Sequence, residues 1–363
     1  MTDAEIADLR AACPRILTHH RPRGPREVLA DLAASTPAQF PFDRYGEAAW
    51  LGEFEARVAA ELGKEAAAFM PSGTMAQQIA LRIWCDRARN PTIAYHPLSH
   101  LEIHESRGYA MLHGLRALPV GASARLMTPA DVRAISDPLG AFLVELPQRE
   151  IGAQLPLWDD LVALCDAARA TGAKVHLDGA RLWEATPFYG RSHAQVAALF
   201  DSAYVSFYKG LGAIGGAMLA GDAAFVAEAR TWQHRHGGRL FSLAPIALSA
   251  RLGFERNLGM MGAWFARAKE IARALGEIPG VAIVPNPPQT NTFHVFLEGV
   301  AAELEDRAHA HAREHGTFSF ARLAPTANPR VQKWEFVVGD ATDGIDTSAI
   351  VRAVQAIVAG GED

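Results

Sequence analysis

The strongest constraint on the fold of this chain is the order of its segments. Short apolar runs of strand length alternate with stretches of helical periodicity. Ala66 to Met70 is one such run; Pro71-Ser72-Gly73-Thr74 ends it, and Met75 to Arg87 reads as a helix. Residues 141–146 (AFLVEL) read as a buried strand, 157–171 as an amphipathic helix ending at Gly172, and Lys174 to Leu177 as the next strand. Asp201 to Phe207 and Gly215 to Leu219 read as two more strands. Upstream, Trp50, Leu51, Phe54, Val58 and Leu62 fall on one helical face. Strands that alternate with helices predict an α/β fold with a mostly parallel sheet, covered on both faces.

The pattern changes after about residue 250. A helical stretch over 244–276 is followed by a Pro-rich segment, Pro279 to Pro288. Residues 290–297 and 334–338 then read as strands, and 301–314 and 346–358 as helices, which predicts a smaller C-terminal α+β domain. The expected organisation is an N-terminal segment (1–45), a large domain (46–255) and a small domain (256–363). A length of 363 residues accommodates this.

The formal net charge of −5 is small, which argues against a nucleic-acid partner. Cys13, Cys85 and Cys165 form no CxxC pair, so no disulfide framework or zinc knuckle is expected, and a reducing, cytoplasmic setting fits. Met1 to Arg10 lacks the apolar core of a secretory signal. No run of about 18 apolar residues occurs, so no membrane span is expected.

Four places carry chemistry. Lys209 lies between a hydrophobic strand and a glycine turn, in Ser206-Phe207-Tyr208-Lys209-Gly210-Leu211-Gly212. Burial there would lower its pKa and make the amine a nucleophile; taken alone, a surface lysine at a strand end is the commoner use. Asp178 ends an apolar strand in VHLDGAR (175–181), where an acid suits a cationic heteroaromatic nitrogen or simply caps the next helix. Ser72-Gly73-Thr74 sits between a strand and a helix and is either a phosphate cradle or a capping turn. His96, His100 and His104 are spaced by four, but Pro97 opposes one continuous helix. An imidazole stacked on a cofactor ring is a better reading of His100 than a metal site.

Taken together, FMPSGTMAQQIAL (69–81), His100, VHLDGARLWEA (175–185) and SFYKGLGAIGGAMLAG (206–221) resemble the threonine aldolase and β-eliminating lyase group. These are fold-type-I enzymes, aspartate aminotransferase-like, that use pyridoxal 5'-phosphate (PLP). Order and spacing agree over roughly residues 43–225. The resemblance implies PLP held as a Schiff base on Lys209, with Asp178 at the pyridine nitrogen. It also implies Ser72, Gly73 and Thr74 on the phosphate, and His100 stacked on the ring and acting as a base. Arg181 would bind the amino-acid carboxylate. It implies a homodimer or homotetramer with shared active sites.

Several positions depart from the family pattern. Leu17-Thr18-His19-His20-Arg21 stands where a Ser-Asp-Thr-like run is usual. Leu146-Pro147-Gln148-Arg149 stands where a substrate-contacting histidine is usual, which makes Gln148 a candidate substrate residue. Tyr208 replaces the serine before the lysine, and Glu335 falls at or beside a second carboxylate-binding arginine. Losing one bidentate arginine weakens a carboxylate site, so Arg181, Arg239 or Arg322 is expected to anchor the substrate, or the substrate differs. The expected activity is cleavage of the Cα–Cβ bond of a β-hydroxy-α-amino acid to glycine and an aldehyde. The alternatives are β-elimination from a β-substituted amino acid, or a PLP-binding protein without turnover.

Overall fold

The computed structural model describes residues 1–359. The chain forms two compact units. One comprises Val28–Ile151 and Leu155–Gly259; the other comprises Met1–Glu27, Gly152–Gln154 and the residues from Met260 onward.

The larger unit is built on seven strands: β1 (Ala66–Met70), β2 (Thr92–Tyr95), β3 (Arg116–Pro119), β4 (Ala141–Glu145), β5 (Lys174–Gly179), β6 (Ser202–Ser206) and β7 (Ala217–Gly221). Their order across the sheet is β1-β7-β6-β5-β4-β2-β3. All neighbours are parallel except β7, which runs antiparallel to both β1 and β6. The central strands are largely apolar because both faces are covered: β2, β4, β6 and β7 are buried at every position, while the edge strand β3 is partly exposed.

Helix α1 (Gly73–Ala88) follows β1 and packs Ile79, Ile83 and Trp84 into the core. The Trp84 ring stacks on Phe225 at 4.7 Å. Its indole N–H donates to Ser202 Oγ (2.7 Å), and the same hydroxyl bonds His176 Nδ1 (2.7 Å). His176 Nε2 in turn lies 2.8 Å from Gln77 Oε1. This network pairs the Trp84, Ser202 and His176 polar groups between helix and sheet while Gln77 Nε2 stays unpaired, and burial lowers the His176 pKa to about 3, so the ring is neutral.

In the smaller unit, four antiparallel strands are ordered Ala324–Pro325, Val331–Val337, Thr292–Glu298 and Val281–Val284. Arg15–Ile16 pairs in parallel with Thr317–Phe318. The sequence reading assigned no strand at Thr92–Tyr95 or Arg116–Pro119, and two further features differ from it. The helical stretch 244–276 is broken by a 3-10 turn at Leu258–Met260 into Ala244–Asn257 and Met261–Leu275. The Pro-rich segment contains the edge strand Val281–Val284, which itself holds no proline and is flanked by Pro279 and Pro285. Among the described residues, no helix is long and apolar enough to cross a membrane.

Ser202→Ala should destabilise the protein by about 2 kcal/mol, because it strands the buried Trp84 indole N–H donor and the His176 Nδ1 acceptor. The check is a shift of the urea midpoint with an unchanged slope; a midpoint within error of wild type would show that water replaces the hydroxyl.

Candidate active site

Parallel strands β4, β5 and β6 deliver Glu145, Asp178 and Tyr204 in one row. Glu145 is in register with Asp178, and Asp178 with Tyr204. Side chains directly opposite one another share a face, so three buried polar groups face the same way near the carboxyl ends of the strands, where open α/β sheets bind ligands. Lys209 lies three residues past the end of β6 and is half-buried.

Charge shapes this group. Burial, reinforced by the Arg181 cation, lowers the Lys209 amine to about 8, although Asp178, Glu145 and Glu184 pull the other way. Burial raises the Asp178 carboxyl, opposed by Lys209 and His100. Asp178 Oδ1 accepts from the Ala180 N–H at 3.1 Å. The following helix α2 (Leu182–Tyr189) is capped by Arg181, so Asp178 is not its cap. Glu145 is pushed to about 8 by burial and by the neighbouring Asp178. Its Oε2 accepts from the His100 N–H (3.2 Å) and Gln148 Nε2 (3.3 Å), and its Oε1 from the Arg149 N–H (3.3 Å). Two adjacent buried carboxyls do not both ionise easily. A proton on Glu145 leaves the charge to Asp178.

Ser72, Gly73, Thr74, His100, Gln148, Asp178, Arg181 and Lys209 all fall in the larger unit. Ser72 is the N-cap of α1, its Oγ accepting from the Met75 N–H at 3.2 Å. Gly73 and Thr74 form the first turn, so the capping and cradle readings share one structure. A Cβ at Gly73 would collide with the Tyr204 ring and hydroxyl. That contact ties the turn to the row of polar groups. His100 opens the short helix His100–Ile103; its Nδ1 lies 3.0 Å from Glu105 Oε1 and its ring 4.9 Å from that of His104. Burial lowers its pKa to about 4. Arg181 acts on both Lys209 and Glu184 through its charge. Gln148 is buried, and its Nε2 is bonded to Leu98 O (3.0 Å) as well as to Glu145.

The other arginines named from sequence are placed elsewhere. Arg239 donates to Tyr45 O (2.8 Å) and pairs with Glu47. Arg322, in the smaller unit, pairs with Glu305 (3.0 Å) and Asp3 (3.3 Å). Glu335 sits in the small sheet opposite His294. His96 is buried, with Nε2 on Arg125 O at 2.9 Å. Among the described residues no cluster of three potential ligands could hold a metal.

Sequence reasoning assigned no role to Glu105, Glu145, Glu184 or Tyr204. Glu184 is 3% exposed and accepts from the Gly210 N–H at 3.0 Å, while its Oε2 is buried without a hydrogen-bond partner. It fixes the peptide that follows Lys209, and a Cβ at Gly210 would strike its carboxylate. Glu105 is followed by Ser106 (φ 50°) and Arg107 (φ 54°), both left-handed, at roughly 1–2 kcal/mol each. The signal available for Glu145 was an acid at the end of an otherwise apolar strand.

The mostly parallel sheet, the strand-end acid and lysine, and the small-residue turn opening α1 define the class: a fold-type-I PLP-dependent lyase. The family model described as beta-eliminating lyase matches residues 33–299. A solved structure from Listeria monocytogenes, provisionally described as an L-allo-threonine aldolase, is 41% identical. That match covers 98% of this chain and 99% of the other, with a TM-score of 0.93. Aldolase vrtJ of Penicillium aethiopicum is 33% identical over 291 residues, 77% of this chain and 72% of that protein. The low specificity L-threonine aldolase of Escherichia coli K12 is 27% identical over 253 residues, 66% of this chain and 75% of that protein. The chain belongs to the beta-eliminating lyase family, whose members and fold are PLP-dependent.

In cofactor-free protein, acylation of Lys209 by an amine reagent should reach half its maximum near pH 8, against about 10.4 for an ordinary lysine. The readout is mass spectrometry of the Lys209 peptide across pH. A midpoint above about 10 would mean that the amine is solvated.

Proposed function

We propose that this protein cleaves the Cα–Cβ bond of a β-hydroxy-α-amino acid, releasing glycine and an aldehyde, with PLP held at Lys209. The observation that carries the reading is geometric: Lys209 follows the strand β6 next to the in-register buried acids Glu145 and Asp178, and burial together with Arg181 lowers its amine to about 8.

The residues present suit PLP. Asp178 and Glu145 form a buried acidic pair that a cationic ring nitrogen would complement. The first turn of α1 offers backbone N–H groups and the positive end of a 16-residue helix to a phosphate. Lys209 would hold the cofactor covalently through Nζ, Asp178 would pair with its ring nitrogen, and Ser72, Gly73 and Thr74 would hold its phosphate. When bound, PLP supplies a protonated ring that accepts the electron pair left at Cα.

The chain's own groups do the rest. Arg181 would anchor the amino-acid carboxylate; its charge already acts on Lys209, whereas Arg239 and Arg322 are paired with Glu47 and with Glu305 and Asp3. His100 Nε2 would take the proton from the substrate hydroxyl, because burial keeps the ring neutral and able to accept. Gln148 would act through Glu145, holding that carboxyl in place beside Asp178. Tyr45 and Phe241, both exposed with rings 5.5 Å apart, give an apolar surface that would suit assembly as a homodimer or homotetramer.

Purified holoprotein would be mixed with a panel of β-hydroxy amino acids and its products identified. Glycine plus an aldehyde is expected. Pyruvate plus ammonia would replace this reading by β-elimination, and a coloured protein without turnover would leave a cofactor-binding role. Lys209→Ala should abolish the absorbance of lysine-bound cofactor; an unchanged spectrum rejects Lys209. His100→Ala should keep the colour and lower kcat by about 10²-fold or more; full activity removes its role as base.

A further inference from the structure

Glu105 is the buried group that this scheme leaves unused, and its surroundings are those of a built position. Its side chain is 2% exposed, its Oε1 lies 3.0 Å from His100 Nδ1, and the Gln78 side chain lies within hydrogen-bonding reach of the same carboxyl. The chain turns through two left-handed residues, Ser106 and Arg107, directly after it. Gly108 then passes so close to the Gln78 carboxamide that a Cβ there would overlap it. Strain of this kind persists only where surrounding structure enforces it. Here it keeps a carboxyl against the inner nitrogen of His100, while Nε2 of the same ring makes no hydrogen bond within the described protein.

We infer that Glu105 positions His100 and takes up its Nδ1 proton, so that the pair works as one base; the identity of the proton donor rests on the function proposed above. In the ready state Glu105 is ionised, Nδ1 carries the ring proton and donates it to Oε1, and Nε2 holds a lone pair. The substrate O–H bond breaks as Nε2–H forms, and its electron pair stays on the substrate oxygen. Nδ1–H breaks as Oε1–H forms. The ring is neutral before and after, and the pair goes from one negative charge to none. No imidazolium forms in a site whose burial disfavours one.

The electrostatics agree with this division of labour. Burial raises Glu105 to about 8, whereas His100 is lowered to about 4, so a proton added to the pair resides on the acid. Lys209, His104 and a hydrogen bond with Gln78 pull the Glu105 pKa down, and Asp178 and Tyr204 lie within its electrostatic reach; Asp178, Lys209, His104 and Arg149 face His100. A base works best when its pKa lies near the working pH, and a value of about 8 meets that condition where a lone His100 would not.

The test uses holoprotein labelled with 15N-histidine. In wild type, Nε2 of His100 should pass from protonated to bare as pH rises through about 8, and kcat should rise over the same range. Glu105→Gln fills the same space without an acid; its ring should show no such transition between about pH 6 and 9, and kcat should fall about 10²-fold with KM and cofactor absorbance retained. Glu105→Asp keeps an acid in the pocket and should recover part of the rate. A transition that survives in the Gln variant, its absence in wild type, or equal losses in the Gln and Asp variants would overturn the inference. A wild-type protein that turns over no amino acid would refute the proposed function instead, and the tautomer readout would still decide the pair.

Discussion

One amine among buried carboxyls organises this molecule. Glu145, Asp178 and Glu184 each act electrostatically on Lys209, and each is desolvated by the packing that brings it there. Carboxylates moved out of water are strongly destabilised unless a cation or donors compensate them. Lys209 and Arg181 supply that compensation, while repelling each other enough to leave the lysine weakly basic. The reactivity of the amine is thus a by-product of how the acids are housed, because the burial that raises the acids lowers the amine.

The scaffold supports this arrangement through close approaches. Gly73 admits the Tyr204 ring, Gly210 admits the Glu184 carboxylate, and Gly108 admits the Gln78 carboxamide. At each point a side chain would collide with a functional neighbour, so these glycines are required by space more than by backbone freedom. The sheet sets the remaining distances. Consecutive parallel strands in register turn Glu145, Asp178 and Tyr204 into a row with no loop to adjust, which holds the polar groups as rigidly as the core itself.

The substrate side is less like the family pattern than the cofactor side. Gln148 stands where a histidine is usual, and it is tied to Glu145 and Leu98 rather than projecting alone. Beside His100 lies a charged cluster in which His104 Nε2 meets Glu150 (2.9 Å) and Arg149 meets the same carboxylate (3.0 Å). A relative at 41% identity shares the fold, with a TM-score of 0.93, and others at 27–33% identity match about two thirds or more of this chain. Differences at such lip positions are where a shared scaffold acquires its own substrate.

The sequence by itself determined the layered α/β plan and the family. Strand-length apolar runs and the spacing of Lys209, Asp178, His100 and Ser72-Gly73-Thr74 are local patterns that survive without knowledge of neighbours. It also located β4 to within one residue, because a strand buried on both faces reads as a hydrophobic run, and it found β5 but ended it two residues early at Leu177. It did not reveal the break at Leu258–Met260 or the edge strand Val281–Val284, since periodicity carries on across a 3-10 turn and prolines disguise an edge. The tertiary structure alone decided which acids share the lysine's surroundings. Glu105, Glu145 and Glu184 look like ordinary carboxylates in a linear chain; only register, burial and the approach of other elements turn them into charges that act on one amine and one imidazole.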